Sequence, residues 1–169
     1  IMKIFIVFFS ILLLLSCKTK EVNFRESKNI SLISNCPKSG NCEIELTQNK
    51  NYKMGKDDSG AAYPIYFDDD SKILISFTYQ KTQDPNLADD YYREMILMAI
   101  PNNLATGSYN NKELEQFNIS YGRFCFCGDK VGYFNLEYGT LEVYKDYVSL
   151  NFKTNTQPQV INKVSFKLH

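Results

Sequence analysis

Tryptophan is absent from this sequence, and histidine occurs once, as His169. Enzymes built on a Ser-His-Asp or Cys-His arrangement need an imidazole beside the nucleophile. Catalytic zinc sites usually take two or three histidine ligands. One histidine at the C-terminal position meets neither requirement, so the sequence argues against both classes of enzyme.

Phosphate-binding loops are also missing. The glycines form neither a GxGxxG nor a P-loop spacing, and we interpret them as turn and bulge residues. Acidic clusters occur at Asp57-Asp58, Asp68-Asp69-Asp70 and Asp89-Asp90, but none follows the EF-hand calcium-loop pattern. Because aspartate favours turns, we interpret these clusters as solvated turns and expect no metal and no cofactor.

A short apolar run opens the chain. Lys3 precedes the segment 4–15, which is apolar except for Ser10. This run is too short to cross a membrane as a helix and is typical of the apolar part of a signal peptide. The sequence therefore predicts an exported protein with residues 1–16 as its signal peptide.

The end of this run, Leu14-Leu15-Ser16-Cys17, resembles the lipobox of bacterial lipoproteins. The resemblance implies cleavage after Ser16, acylation of Cys17 and attachment to a membrane through that lipid. Lys18 stands where lipoproteins of the inner membrane typically carry aspartate, which implies the outer membrane.

The predicted mature chain has one domain. Residues 17–29 are polar and unpatterned, which predicts a lipidated flexible tether, and residues 30–169 are predicted to form one β-rich domain. Without Lys3 the chain carries 18 basic and 19 acidic side chains, and this balance argues against a nucleic-acid partner. We expect a monomer.

Alternation of apolar and polar residues predicts an all-β fold, an antiparallel sandwich or small barrel with little helix. The clearest apolar rows begin at Cys42, Ile73, Val148 and Val164, and residues 115–168 have the pattern of a C-terminal meander. The segment 88–101 is compatible with a helix, but its β-rich surroundings favour a buried strand. A single helical turn is also expected near residues 111–116.

Four cysteines remain once Cys17 carries the lipid, and an even number in an exported domain predicts disulfides. Side chains two residues apart on an extended strand have Cα atoms roughly 6.6 Å apart, which is too far for an easy bond. We therefore predict cross-bridging, in which Cys125 and Cys127 each form a disulfide with Cys36 or Cys42. A Cys36–Cys42 bond that leaves the other two cysteines free is the alternative, and it would favour redox or metal chemistry.

Three functions stay open. A non-catalytic module would bind another envelope protein or a small ligand, with Arg123 as a candidate ligand contact. A hydrolase would use carboxylates brought together by the fold. A thiol redox protein would use Cys125 and Cys127, and it would need a positive group near a thiolate. The single histidine and the lack of phosphate-binding motifs favour the binding module over the two enzymes.

Overall fold

The computed structural model describes residues 20–128, 131–136, 138–155 and 159–169. The predicted signal peptide and Cys17 therefore lie outside the described residues. Within them, no helix has the length and apolar character to cross a membrane. The regular structure consists of twelve strands and one 3-10 turn at Asn111–Gln116: β1 Glu21–Asn23, β2 Ile30–Leu32, β3 Gly40–Lys56, β4 Ala62–Lys81, β5 Tyr92–Pro101, β6 Asn103–Ala105, β7 Gly107–Asn110, β8 Asn118–Cys125, β9 Gly132–Asn135, β10 Gly139–Val143, β11 Tyr147–Phe152 and β12 Lys163–Leu168.

The strands form two antiparallel five-stranded sheets that pack face to face, so the predicted all-β fold is a sandwich. The first sheet has the order β2-β12-β11-β10-β7, and the second has the order β3-β4-β5-β8-β9. The expected rows face the core: Ile73, Ile75, Phe77 and Tyr79 from β4 meet Val148, Leu150, Val164 and Phe166 from the first sheet, and each is at most 2% exposed. The meander is divided, because β8 and β9 lie in the second sheet whereas β10, β11 and β12 lie in the first.

The ambiguous segment is a strand, as the β-rich surroundings indicated. β5 lies between β4 and β8 in the second sheet and is buried on both faces over most of its length. The helical turn expected near residues 111–116 is present as the 3-10 turn, which has a capping box between Asn110 and Glu113.

The flexible tether predicted for residues 17–29 is wrong from Glu21 onward. β1 pairs with β6 in a two-stranded ribbon, and Val22 and Phe24 are buried. The Gln48 side chain donates hydrogen bonds to the carbonyl oxygens of Phe24 and Ser27. Residues 21–27 are therefore part of the folded domain. Two apolar side chains in this polar stretch are buried in the core, and the hydrogen bonds hold the backbone beside them.

The long β3–β4 hairpin bends in its middle and forms an arm, which we define as residues 50–68. The pairing runs in register from Gly40–Lys81 to Gln48–Ile73 and then resumes at Lys50–Asp68. Asn49 lies at the break with a φ of 55°, a backbone conformation that asparagine tolerates better than most residues. The extra residues on β4 sharpen the bend, as bulges do, and the arm folds over the outer face of the second sheet.

Candidate functional site

The arm has two different faces. Its inner face carries Tyr52, which is 1% exposed and packs with Leu74, Leu97 and Ala99 on the outer face of the second sheet. Met54 and Tyr133 complete this small second core. The arm is therefore held to the sandwich by its own hydrophobic cluster.

Tyr52 also holds the arm through its hydroxyl group. This oxygen lies 3.1 Å from the carbonyl oxygens of Leu97 and Asn118 and 3.0 Å from the Ser120 hydroxyl. Burial is the largest effect on this phenol and raises its pKa well above the ordinary value of tyrosine. Burial raises the pKa of the neighbouring Tyr133 to about 12. The inner face is thus a structural contact made by neutral phenols.

The outer face of the arm carries an exposed row of apolar side chains, which we call the aromatic row. Tyr63, Ile65 and Phe67 alternate along β4 and are 45%, 37% and 42% exposed. The Ile65 and Tyr63 side chains lie over Gly55, where an added Cβ would be only 2.7 Å from the Ile65 Cδ1. Lys53 is exposed and lies opposite Ile65 on β3. The result is an exposed apolar surface with a cation beside it.

A buried polar cluster occupies one end of the sandwich. Glu94 on β5 and Arg123 on β8 are register partners, and each is only 1% exposed. The two Glu94 carboxylate oxygens accept hydrogen bonds of 2.7 Å from the backbone N–H groups of Val160 and Ile161. The Tyr92 hydroxyl also donates to Glu94. This carboxylate therefore pins the segment before β12 to the second sheet.

Arg123, the candidate ligand contact, lies within this cluster and not on an open surface. Its Nη2 donates a hydrogen bond to the Sγ of Cys127 at 3.3 Å. Cys127 lines the neighbouring cleft, whereas the buried Arg123 does not. Contact between Arg123 and an external ligand stays an untested prediction.

The predicted cysteine cross-bridges are wrong. Cys36 pairs with Cys42, with their Cα atoms 5.7 Å apart, and Cys125 pairs with Cys127 at 5.2 Å. Cys42 lies on β3 and Cys125 on β8, with β4 and β5 between them, so three strand spacings of about 4.8 Å separate them. The predicted separation of Cys125 and Cys127 was also too long, because β8 ends at Cys125 and the chain bends at Phe126.

The interpretation of the acidic clusters as turns is correct for Asp57-Asp58 and Asp89-Asp90, which lie in or next to turns, and wrong for Asp68-Asp69-Asp70, which lies within β4 at the bend of the hairpin. Asp57 accepts hydrogen bonds from Ser59 and Ala61, and Asp69 accepts them from Ser71 and Asn51. These bonds lower the pKa of both carboxyl groups. A carboxyl group that acts as a general acid near neutral pH needs a raised pKa. Among residues 20–169, apart from the six that are not described, no group of three or more His, Cys, Asp or Glu side chains is arranged to hold a metal ion.

A shallow cleft of about 420 Å³ opens beside the buried polar cluster. Both Cys125 and Cys127 line it, together with Phe126, Tyr91 and Asp90. Lys81 forms an ion pair with Asp90 at this cleft. Sequence reasoning singled out the two cysteines but not the aromatic row, whose signal was the Tyr-x-Ile-x-Phe alternation directly before three aspartates.

Comparisons with protein-family models, with curated proteins and with solved structures found no match for this chain. The functional argument therefore depends on the geometry of the aromatic row and of the cysteine cleft.

Proposed function

We propose that this protein is a lipoprotein of the bacterial envelope whose main role is binding, held at the outer membrane by acyl chains on Cys17. Its β-sandwich binds another envelope protein through the aromatic row. The exposure of Tyr63, Ile65 and Phe67 on one face of the arm carries this proposal. Contiguous exposed apolar surface of this kind marks interaction sites in soluble domains.

The arrangement of the arm supports a binding role for this surface. The arm is already attached through its inner face by Tyr52 and its hydroxyl contacts, so the aromatic row is not needed for attachment. Aromatic side chains give large contact areas at interfaces. Lys53 beside the row is complementary to a partner that presents a carboxylate next to its own apolar surface. We therefore favour a protein partner with an acidic rim.

The carboxylates favour this proposal over a hydrolase. The Glu94 oxygens are occupied by Val160, Ile161 and Tyr92 inside the fold. The lowered pKa values of Asp57, Asp69 and Asp90 keep these groups ionised at neutral pH. A carboxylate pair that works as acid and base needs one member with a raised pKa.

Site-specific photo-crosslinking in intact cells tests the binding surface. A benzophenone amino acid replaces Ile65 in the row, and the matched control replaces Tyr144, which is 52% exposed outside the arm. We expect a discrete cross-linked protein from position 65 and none from position 144. Lys53→Glu should reduce this product at least fivefold, whereas Lys145→Glu at another exposed position should not. Equal products from both positions, or no product from position 65, would contradict the proposal.

The anchor is tested separately. Cells labelled with a palmitate analogue should incorporate the label into the wild-type protein but not into Cys17→Ala. The wild type should be recovered with the outer membrane, whereas the variant should leave the membrane fraction. Equal labelling or equal membrane retention of the two proteins would rule out lipidation at Cys17.

A further inference from the structure

The pair formed by Cys125 and Cys127 contributes little to holding the fold together. In the chain-entropy model a disulfide stabilises less when it closes a shorter loop, and Cys125–Cys127 has a sequence separation of 2 against 6 for Cys36–Cys42. β8 is already held at this end, because Cys125 is the register partner of Tyr92 on β5. A structural role therefore explains the Cys36–Cys42 pair better than the Cys125–Cys127 pair.

The surroundings of the pair are those of a reactive sulfur site. Cys125 and Cys127 are both partly exposed at the cleft, so a second molecule can reach them. The Arg123 guanidinium is fixed by burial and donates to the Cys127 sulfur. A permanent positive charge beside a sulfur stabilises its thiolate form, which is the form that leaves or attacks in disulfide exchange. Exposed disulfides are also more readily exchanged than buried ones.

Phe126 gives the site a preference for polypeptides. It lies between the two cysteines and is 70% exposed. Phe126 and Tyr91 line the same cleft as Cys125, so a thiol bound in this cleft lies near both aromatic rings. A cysteine flanked by an apolar side chain therefore makes contacts here that a small hydrophilic thiol does not.

We propose that Cys125 and Cys127 form a redox couple that exchanges thiols and disulfides with cysteine-containing polypeptides, and that Arg123 positions Cys127 as the leaving thiolate. A substrate thiolate attacks the Cys125 sulfur, the Cys125–Cys127 bond breaks, and its electron pair stays on Cys127. The second substrate thiolate then attacks the substrate sulfur of this mixed disulfide and releases Cys125. The substrate loses two electrons and two protons to form a disulfide, and the protein pair gains them as a dithiol.

Equilibration of the full chain in glutathione redox buffers tests the couple, with Cys36–Cys42 as an internal control in the same molecule. Free thiols are trapped by a maleimide and located by peptide mass spectrometry. We expect Cys125 and Cys127 to become reduced at a thiol-to-disulfide ratio at least 100-fold lower than the ratio that reduces Cys36 and Cys42. Reduction of both pairs together, or of Cys36 and Cys42 first, would overturn the proposal.

The order of the steps is tested with a synthetic peptide that carries two cysteines and a neighbouring phenylalanine. The oxidised wild type should convert this peptide to its disulfide faster than it converts the matched peptide with serine in place of phenylalanine. A peptide with only one cysteine should accumulate as a mixed disulfide on Cys125 of the oxidised wild type, because its thiolate releases Cys127 and no second peptide thiol resolves the bond; at least tenfold less should be found on Cys127. Equal rates for the two-cysteine peptides, or equal amounts of mixed disulfide on Cys125 and Cys127, would overturn the assigned roles.

Arg123 is tested through the redox equilibrium. Arg123→Gln should lower the equilibrium constant for reduction of the pair about tenfold, which corresponds to about 30 mV for a two-electron couple. Arg123→Lys keeps the positive charge, so its equilibrium constant for reduction should lie closer to that of the wild type than to that of Arg123→Gln. A purely structural role of Arg123 would not predict this difference between the two variants. If Arg123→Gln does not fold, Arg123→Lys and the wild-type comparison with Cys36–Cys42 still decide the proposal.

Discussion

Tyr52 joins two parts of the molecule through one oxygen atom. Its hydroxyl hydrogen can be donated to one carbonyl at a time, either that of Leu97 or that of Asn118, while the Ser120 hydroxyl can donate to the same oxygen. The ring lies against Leu97 and Ala99 at the same point. This residue therefore combines apolar burial with the satisfaction of polar groups that the arm removes from water.

Removal of this hydroxyl should weaken the fold and change its response to alkaline pH. We expect Tyr52→Phe to lower the free energy of unfolding by about 1–3 kcal/mol, since buried polar partners lose a hydrogen bond. The pKa of Tyr52 is raised in the folded state, so its contribution is fully present below pH 10 and is lost as the pH rises further. The wild type should lose stability more steeply above pH 10 than the variant does.

Urea unfolding at pH 7 and at steps above pH 10 measures both effects. Tyr144→Phe is the matched control, because Tyr144 is 52% exposed and should behave as the wild type. An identical alkaline slope for Tyr52→Phe and the wild type would contradict the assigned role of the Tyr52 phenol.

At the scale of elements, the two faces of the arm have different roles: the inner face attaches the arm to the second sheet, and the outer face carries the aromatic row. Tyr52 and Met54 face the sandwich, whereas Tyr63, Ile65 and Phe67 lie on the opposite face and form the aromatic row, because side chains alternate across a strand. Substitutions on the two faces should therefore have different consequences, although the residues are neighbours in sequence.

The two faces of the arm predict two different stability results. The triple variant Tyr63→Thr, Ile65→Thr and Phe67→Thr should change the free energy of unfolding by no more than about 1 kcal/mol, because exposed positions contribute little. Leu97→Ala, beneath the inner face and 0% exposed, should cost about 2–5 kcal/mol.

Hydrogen exchange distinguishes local release of the arm from global weakening. Leu97→Ala should accelerate the exchange of the arm amides more than that of β11, whereas the triple variant should leave both nearly unchanged. Faster arm exchange in the triple variant alone would mean that the aromatic row holds the arm in place.

Alternation along the chain predicted the central elements but not their arrangement. The row from Ile73 to Tyr79 faces the core as expected, because period-two alternation follows directly from strand geometry. The arm was not predicted, because the bend depends on one residue, Asn49, and on extra residues in β4 that also suit a plain turn. The cysteine pairing was mispredicted because strand order decides which side chains meet, and alternation contains no information on strand order.

The second missed element was β1. Val22 and Phe24 alternate within a polar stretch, and both are buried against β6 and the core. Two apolar residues are a weak signal, because the same spacing occurs in flexible segments. Their burial depends on a groove that only the folded sandwich provides.

At the scale of the whole molecule, the segment 20–29 belongs to the folded domain. Phe24 is 0% exposed and Val22 is 7% exposed. Burial of a large apolar side chain contributes about 1.5–3 kcal/mol. A domain that begins at residue 30 therefore lacks part of its core.

Two fragments of the chain should differ in stability for this reason. We expect residues 30–169 to unfold at a temperature roughly 6–12 °C below residues 20–169, from a loss of about 3 kcal/mol. Circular dichroism of both fragments should show a strand-dominated spectrum. Val22→Ser with Phe24→Ser in the longer fragment should reproduce the loss, and equal melting temperatures for all three proteins would mean that β1 adds no stability.

The pairing of β2 with β12 joins two strands from opposite ends of the folded domain, so β2 cannot pair until the C-terminal strand is present. Leu32 is the register partner of Phe166, and the backbone of Lys28 donates to the carbonyl oxygen of His169. β2 is separated from β12 by more than 120 residues, so in the exported protein that we propose its hydrogen-bonding edge stays unpaired until β12 has crossed the membrane and folded against it. Unpaired edges of this kind attract other chains. Before β12 docks, the first sheet therefore depends on protection from aggregation.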